Sequence, residues 1–180
     1  MTHRGYEYSG MKHHDETEFG VWAATARPRL RRTAFLLSGD WHLAEDLAQE
    51  TLLRMHGVWP RVARAGAPDA YARRTLVNQY NSTFRRPWRR EQPTDAVPDR
   101  VAALDGPHDE RETLLAALAE LGASQRAIVV LRYWEDMSVT EVADLLNLSP
   151  GTVRSQTSRA LLNLRHRLPA LSSPNPWDES

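Results

Sequence analysis

The chain has 180 residues, with 23 basic and 23 acidic side chains and no cysteine. That length holds one ordinary domain or two small ones, and the lack of thiols excludes disulfides and thiolate metal sites. No apolar run could cross a bilayer and the N-terminus lacks the apolar core of a signal peptide, so a cytoplasmic, helical protein without membrane insertion is expected.

The zero net charge conceals a segregated pattern. Arg61, Arg64, Arg73, Arg74, Arg85, Arg86, Arg89 and Arg90 are opposed within their stretch only by Asp69. The sign then reverses through Glu91, Asp95, Asp99, Asp105, Asp109 and Glu110, and Arg154, Arg159, Arg165 and Arg167 restore it. Two basic modules with an acidic connector is a plan for binding polyanions through local clusters rather than through total charge.

Residues 1–16 read as a polar, flexible leader, in which His3, His13 and His14 are leader residues rather than a metal site. Phe19, Trp22, Ala26, Leu30, Ala34 and Leu37 recur at helical spacing despite Pro28. Gly39 breaks that helix and Asp40 can cap the next, HLAEDLAQETLLRMHGVW. There Asp46, Gln49, Glu50 and Arg54 form a polar face beside an apolar seam, which suits either a protein interface or a solvated surface. Pro60 and RVARAGAP read as a basic connection, and Asp69 as the start of a third helix, DAYARRTLVNQYNSTFRR. Tyr71, Thr75, Leu76, Tyr80 and Phe84 are its packing candidates, and Arg73, Arg74, Asn78, Asn81, Arg85 and Arg86 its polar ones. Arginines interleaved with aromatics can hold phosphates and stack on bases, although the aromatics are equally suited to a core.

Residues 91–108, with three prolines and a glycine among acids, read as a linker. Residues 109–168 then carry four helices, with Ser124 as a candidate cap of the second, and the prolines of 169–180 mark a flexible tail. The last two helices are the most informative. Ser138 and Glu141 have the spacing of a capping box, Val142, Leu145 and Leu146 give an apolar face, and Asn147 ends the helix. Ser149 and Pro150 then open a helix whose Val153, Ala160, Leu161, Leu164 and Leu168 face inward. Arg154, Ser155, Ser158 and Arg159 fall on the other side, the arrangement of a helix-turn-helix whose second helix enters a major groove. Arg154 lies early enough to read a base edge, Arg159 suits the backbone, and Thr152 near the helix start can join main-chain N–H groups at a phosphate.

No catalytic constellation stands out. Asp46 and Glu50 lack a histidine partner for a metal, His42 and His56 read as helix-face residues, and no glycine-rich phosphate loop is present. The sequence therefore points to a non-enzyme without cofactor, of all-α class, with two small helical domains (17–90 and 109–168) joined by an acidic flexible linker.

The blocks AEDLAQETLLRMHGVW, YARRTLVNQYNSTFRR, SQRAIVVLRYWEDMSVTEVADLL and GTVRSQTSRAL, in this order, resemble regions two and four of the extracytoplasmic-function group of bacterial RNA polymerase sigma factors, the last block being similar to an actinobacterial subgroup. The resemblance implies that Asp46, Gln49, Glu50 and Arg54 dock on core RNA polymerase. It implies that Arg61, Arg64, Arg73, Arg74, Asn78 and Arg85 serve the minus-ten element as an opened strand. It implies that Thr152, Arg154, Ser155, Ser158 and Arg159 serve the minus-thirty-five element as duplex DNA. An anti-sigma factor is a further implied partner, and an obligate homo-oligomer is not expected. A stand-alone helix-turn-helix regulator and a non-DNA helical adaptor are the alternatives; the polar face on the second helix and the acidic linker favour the sigma reading.

Overall fold

The computed structural model describes residues 13–84 and 108–168, and its regular structure is entirely helical. Helices α1 (His13–Ser38), α2 (Trp41–Arg64) and α3 (Pro68–Phe84) form one cluster. Helices α4 (His108–Ala119), α5 (Ala123–Val129), α6 (Val139–Leu146) and α7 (Pro150–Arg167) form a second, in which α5 runs on into a π-helical turn, Val130–Trp134. The expected linker, residues 91–108, lies almost wholly outside the described residues, as do 169–180.

The apolar stripe predicted for α1 is buried at Ala26, Leu30, Ala34 and Leu37. Pro28 removes a main-chain donor at a cost of about 3 kcal/mol, which the burial of Leu30 and Leu37 against α2 and α3 offsets at about 1.5–3 kcal/mol each. The helix begins at His13, so residues 13–16, expected in the leader, are helical. Asp15 and Glu16 in its first turn meet the positive end of the helix dipole, which favours this early start.

Asp40 caps α2 as expected, accepting from His42 N at 2.8 Å and Leu43 N at 3.1 Å. Gly39 turns the chain into that cap with φ +72°, a conformation costly to residues with a Cβ. One expectation is corrected. Pro60 does not end α2, which continues to Arg64, so Arg61 and Arg64 are helical rather than part of a loop. Trp59 and Val62, on either side of Pro60, are both buried, and Trp59 packs on Trp22 and Phe19 with ring centroids 5.0 and 5.3 Å apart. That packing holds the helix through the proline.

Helix α3 starts one residue before Asp69, with Pro68 in the first turn after Gly66 (φ +69°). Its inward face is Ala72, Leu76, Val77 and Tyr80. Tyr71, expected to pack, lies one position round the helix from Ala72 and is 37% exposed. Tyr80 donates its hydroxyl to Leu37 O at 2.7 Å, and burial pushes its pKa up.

In the second cluster Ile128, Leu131, Val142, Val153, Ala160 and Leu164 form the centre of the core. Gly122, not Ser124, precedes α5, with no side-chain cap. Arg126 instead caps the end of α4, donating from Nε to Leu118 O at 2.8 Å and from Nη2 to Ala119 O at 2.7 Å. A cation suits the negative end of a helix dipole, and burial lowers this guanidinium's pKa. The two clusters touch where α1 meets α5 and the π turn, and where α3 meets α6.

Candidate nucleic-acid interface

The α6–α7 pair follows the local signals closely. Ser138 Oγ accepts from Glu141 N at 3.2 Å while Glu141 Oε2 accepts from Ser138 N at 2.7 Å, a reciprocal cap that lowers the Glu141 pKa. Asn147 ends α6 in the left-handed region at φ 56°, which asparagine tolerates. Ser149 caps α7 by accepting from Thr152 N at 3.0 Å, with Pro150 directly after it. Val153, Ala160 and Leu164 are thereby turned inward, and Arg154, Ser155, Ser158 and Arg159 are exposed together on the outer face, with Thr152 half-buried at its start. Ser155 and Ser158 donate to Thr152 O (3.1 Å) and Arg154 O (3.2 Å), so each hydroxyl oxygen keeps acceptor capacity toward solvent.

On α2, Asp46, Gln49, Glu50 and Arg54 share an exposed face. Arg54 Nε donates to Glu50 Oε1 at 2.9 Å. Two residues of this region were not singled out from the sequence. Leu53, in the same exposed turn, is 61% exposed. Gln79, buried between α2 and α3, satisfies its neighbours with its amide nitrogen toward Leu47 O and Thr51 Oγ1 (3.3 Å each) and its oxygen toward Arg54 Nε at 3.0 Å. Helical spacing alone marks Leu53 as a surface apolar residue on a polar face. No local signal marks Gln79, whose partners lie on another helix.

The residues expected to serve an opened strand are divided. Arg61 and Arg64 are exposed at the end of α2, Arg64 bonding Pro60 O at 2.6 Å. Arg74 and Asn78 are exposed on α3 and, with Asn81, line an open cleft whose other wall is Asp144, Leu145 and Leu146 of α6 and its cap Asn147. Arg73 is only half-exposed, because Nε contacts Glu135 Oε2 at 2.9 Å and Nη1 donates to Glu135 O at 3.4 Å. Arg85 lies outside the described residues. Among the described residues no three histidine, cysteine, aspartate or glutamate side chains come together as metal ligands, and no helix is long and apolar enough to cross a membrane.

Among the described residues, one helical cluster bears an exposed polar face on α2 and the other presents arginines on the outer face of the Ser149-capped α7, a form compatible with a nucleic-acid-associated protein. Residues 22–90 match the family described as Sigma-70 region 2, and residues 111–164 match Sigma-70, region 4. The chain is 38% identical over 161 residues to the RNA polymerase sigma-E factor of Streptomyces avermitilis, covering 88% of this chain and 89% of that one. It is 35% identical over 154 residues to the ECF RNA polymerase sigma factor SigL of Mycobacterium tuberculosis, covering 79% and 84%. Among solved structures it resembles the sigma factor RpoE of Bartonella quintana, determined in complex with the anti-sigma factor NepR, with TM-score 0.65, 25% identity and coverage of 85% and 98%. The chain belongs to the extracytoplasmic-function group of RNA polymerase sigma factors. It is thus a transcription-initiation factor that acts with core RNA polymerase at promoter elements, and not an enzyme.

Proposed function

We propose that the chain divides promoter recognition between its two clusters, treating residues 17–90 and 109–168 as separate domains joined by the acidic linker. In this reading α6 and α7 are a helix-turn-helix. Arg154 reads a base edge of the minus-thirty-five duplex, Ser155 and Ser158 contact bases or phosphates, and Thr152 and Arg159 hold the backbone. A guanidinium near the start of a groove-entering helix can make the paired hydrogen bonds to guanine O6 and N7 that discriminate sequence. Arg61, Arg64, Arg73, Arg74, Asn78 and Arg85 hold the separated minus-ten strand, and Asp46, Gln49, Glu50 and Arg54 dock on core polymerase. Polymerase supplies the nucleotidyl-transfer chemistry, and the factor supplies position and strand capture in the cytoplasm.

The observation that carries this reading is the double cap on α6 and α7, which turns Arg154 and Arg159 outward while Val153 and Ala160 are wholly buried. The complex of the Bartonella quintana relative supports an anti-sigma factor as a further partner. The test is run-off transcription with core polymerase and promoter fragments, monitored together with strand opening. Promoter-specific RNA that core alone does not make is expected. Duplex binding that core neither enhances nor requires would instead identify a stand-alone regulator.

A further inference from the structure

Glu135 lies in the second cluster, yet its side chain is held by the first. One carboxylate oxygen accepts from Thr33 Oγ1 on α1, whose single proton also has Arg29 O within reach at 3.1 Å; the other meets Arg73 Nε on α3 at 2.9 Å, and Arg73 Nη1 reaches the Glu135 main-chain oxygen at 3.4 Å. The pair is well shielded, with side chains 28% and 18% exposed, against 60% and 50% for Arg54 and Glu50. Thr33 itself is 1% exposed.

The backbone delivers Glu135 to this place. The π turn closes with Glu135 N bonded to Val130 O at 3.1 Å, five residues back, and Asp136 follows at φ 51°. A widened last turn followed by a left-handed residue swings the chain out of the α5 axis, and such π insertions are frequent at functional positions. Elsewhere on the seam Arg74, Asn78 and Asn81 line an open cleft with Asp144, Leu145, Leu146 and Asn147. Glu141, the reciprocal cap of α6, also lies within electrostatic reach of Arg73. The clusters also share apolar packing where α1 meets α5 and the π turn, so the ion pair and the cleft form the polar part of the seam, the part a competing polar ligand can replace.

We propose that Thr33 and Arg73 form an oxyanion receptor on the first cluster, that the Glu135 carboxylate fills it in the free chain, and that a phosphate of single-stranded DNA replaces that carboxylate when the clusters part. Carboxylate and phosphate present the same acceptor geometry to a guanidinium, so each satisfies the receptor and each excludes the other. Glu135 is thereby an internal competitor of the strand, and the second cluster occupies Arg73 until a partner or nucleic acid draws it away. The proposal deepens the strand-capture reading above and rests on it for the identity of the phosphate.

The absence of cysteine allows dyes at two introduced sites, Ala24→Cys and Asn163→Cys, both exposed and outside the proposed contacts. Saturating the labelled full chain with a single-stranded DNA oligonucleotide about 15 nucleotides long should lower energy transfer between the dyes. Glu135→Ala, and the isosteric Glu135→Gln, should lower it without DNA and bind the oligonucleotide about fivefold tighter or more. Adding Arg73→Ala should abolish that gain, since the receptor itself is then incomplete. Energy transfer unchanged at saturation, oligonucleotide affinity unchanged in both Glu135 variants, or a gain that survives Arg73→Ala would each overturn the proposal. Run-off transcription separates the two levels. Promoter-specific RNA from the parent chain with no Glu135 effect sinks the receptor and leaves the sigma assignment of residues standing. Opening and tighter binding in the Glu135 variants without selective initiation does the reverse.

Discussion

Two arginine-bearing helices, α3 and α7, meet their surroundings in opposite ways. On α7, Arg154 and Arg159 are exposed, and no described residue forms an ion pair with either. On α3, Arg73 is half-covered and bonded to Glu135 of the other cluster, and Arg74 looks into a cleft walled by α6. The difference follows from what each helix leans on. The outer face of α7 belongs to the last helix of the second cluster, and nothing described packs over it; α3 lies at the seam, where the second cluster supplies carboxylates. Of the described residues proposed for the separated strand, Arg73 alone is half-covered, while Arg61, Arg64, Arg74 and Asn78 are exposed like Arg154 and Arg159.

The harshest way to break this contrast is to remove the core that sets up both sides of it. Leu131 is wholly buried and sits inside the π turn that carries Glu135. Leu131→Ala should cost about 2–5 kcal/mol in urea unfolding. Binding at the α7 face should fall with it, because α5 and α7 pack directly on one another. A loss below about 0.5 kcal/mol, the range of an ordinary surface substitution, would mean that the second cluster does not depend on this residue.

A sharper probe leaves the fold intact. Arg154→Ala should reduce discrimination between the preferred upstream duplex and single-base variants by about 1–3 kcal/mol, read from competition binding. An equal weakening on every sequence would assign Arg154 to phosphate instead. On the α2 face, Glu50→Lys reverses a charge that pairs with Arg54 at 2.9 Å. It should weaken association with core polymerase about tenfold, or roughly 1.4 kcal/mol, while duplex binding by α7 stays unchanged. Unaltered core affinity would remove Glu50 from the docking face.

The parts of the molecule legible in the sequence are those fixed by neighbours along the chain. Asp40, Ser138 with Glu141, Asn147 and Ser149 all do what their local spacing implies, because a cap needs only residues two or three positions away. The end of α2 was not legible: Pro60 is a local stop signal, and the burial of Trp59 on Trp22 and Phe19, some forty positions distant, outweighs it. Tyr71, expected to pack, is exposed while its neighbour Ala72 is buried, because the position round the helix and not hydrophobicity alone decides which side chain faces inward. The contacts of Arg73 with Glu135 and of Gln79 with Arg54 depend on how helices are placed, and neither follows from any pattern within one helix. Arg73 was legible as a polar residue of α3, but not as one already paired with Glu135.

The smallest expected effect tests how firmly α6 is held at the point where it meets both the seam and α7. Ser138→Ala removes the acceptor for Glu141 N and should cost about 1 kcal/mol at neutral pH. The carboxylate half of the same cap gives a pH signature. Main-chain and side-chain hydrogen bonds with Ser138 hold the Glu141 pKa below its ordinary value, with Arg73 adding to the shift. The folded chain thus binds this proton less tightly than the unfolded one. The stabilisation is complete above the unfolded value of about 4.3 and is lost as pH falls through the lower folded value. Glu141→Gln keeps an acceptor for Ser138 N but cannot titrate, so its stability should fall less steeply than the parent's between about pH 5 and about pH 3, measured by urea unfolding at each pH. Parallel slopes in the two chains would show that the cap holds α6 without favouring the ionised carboxylate.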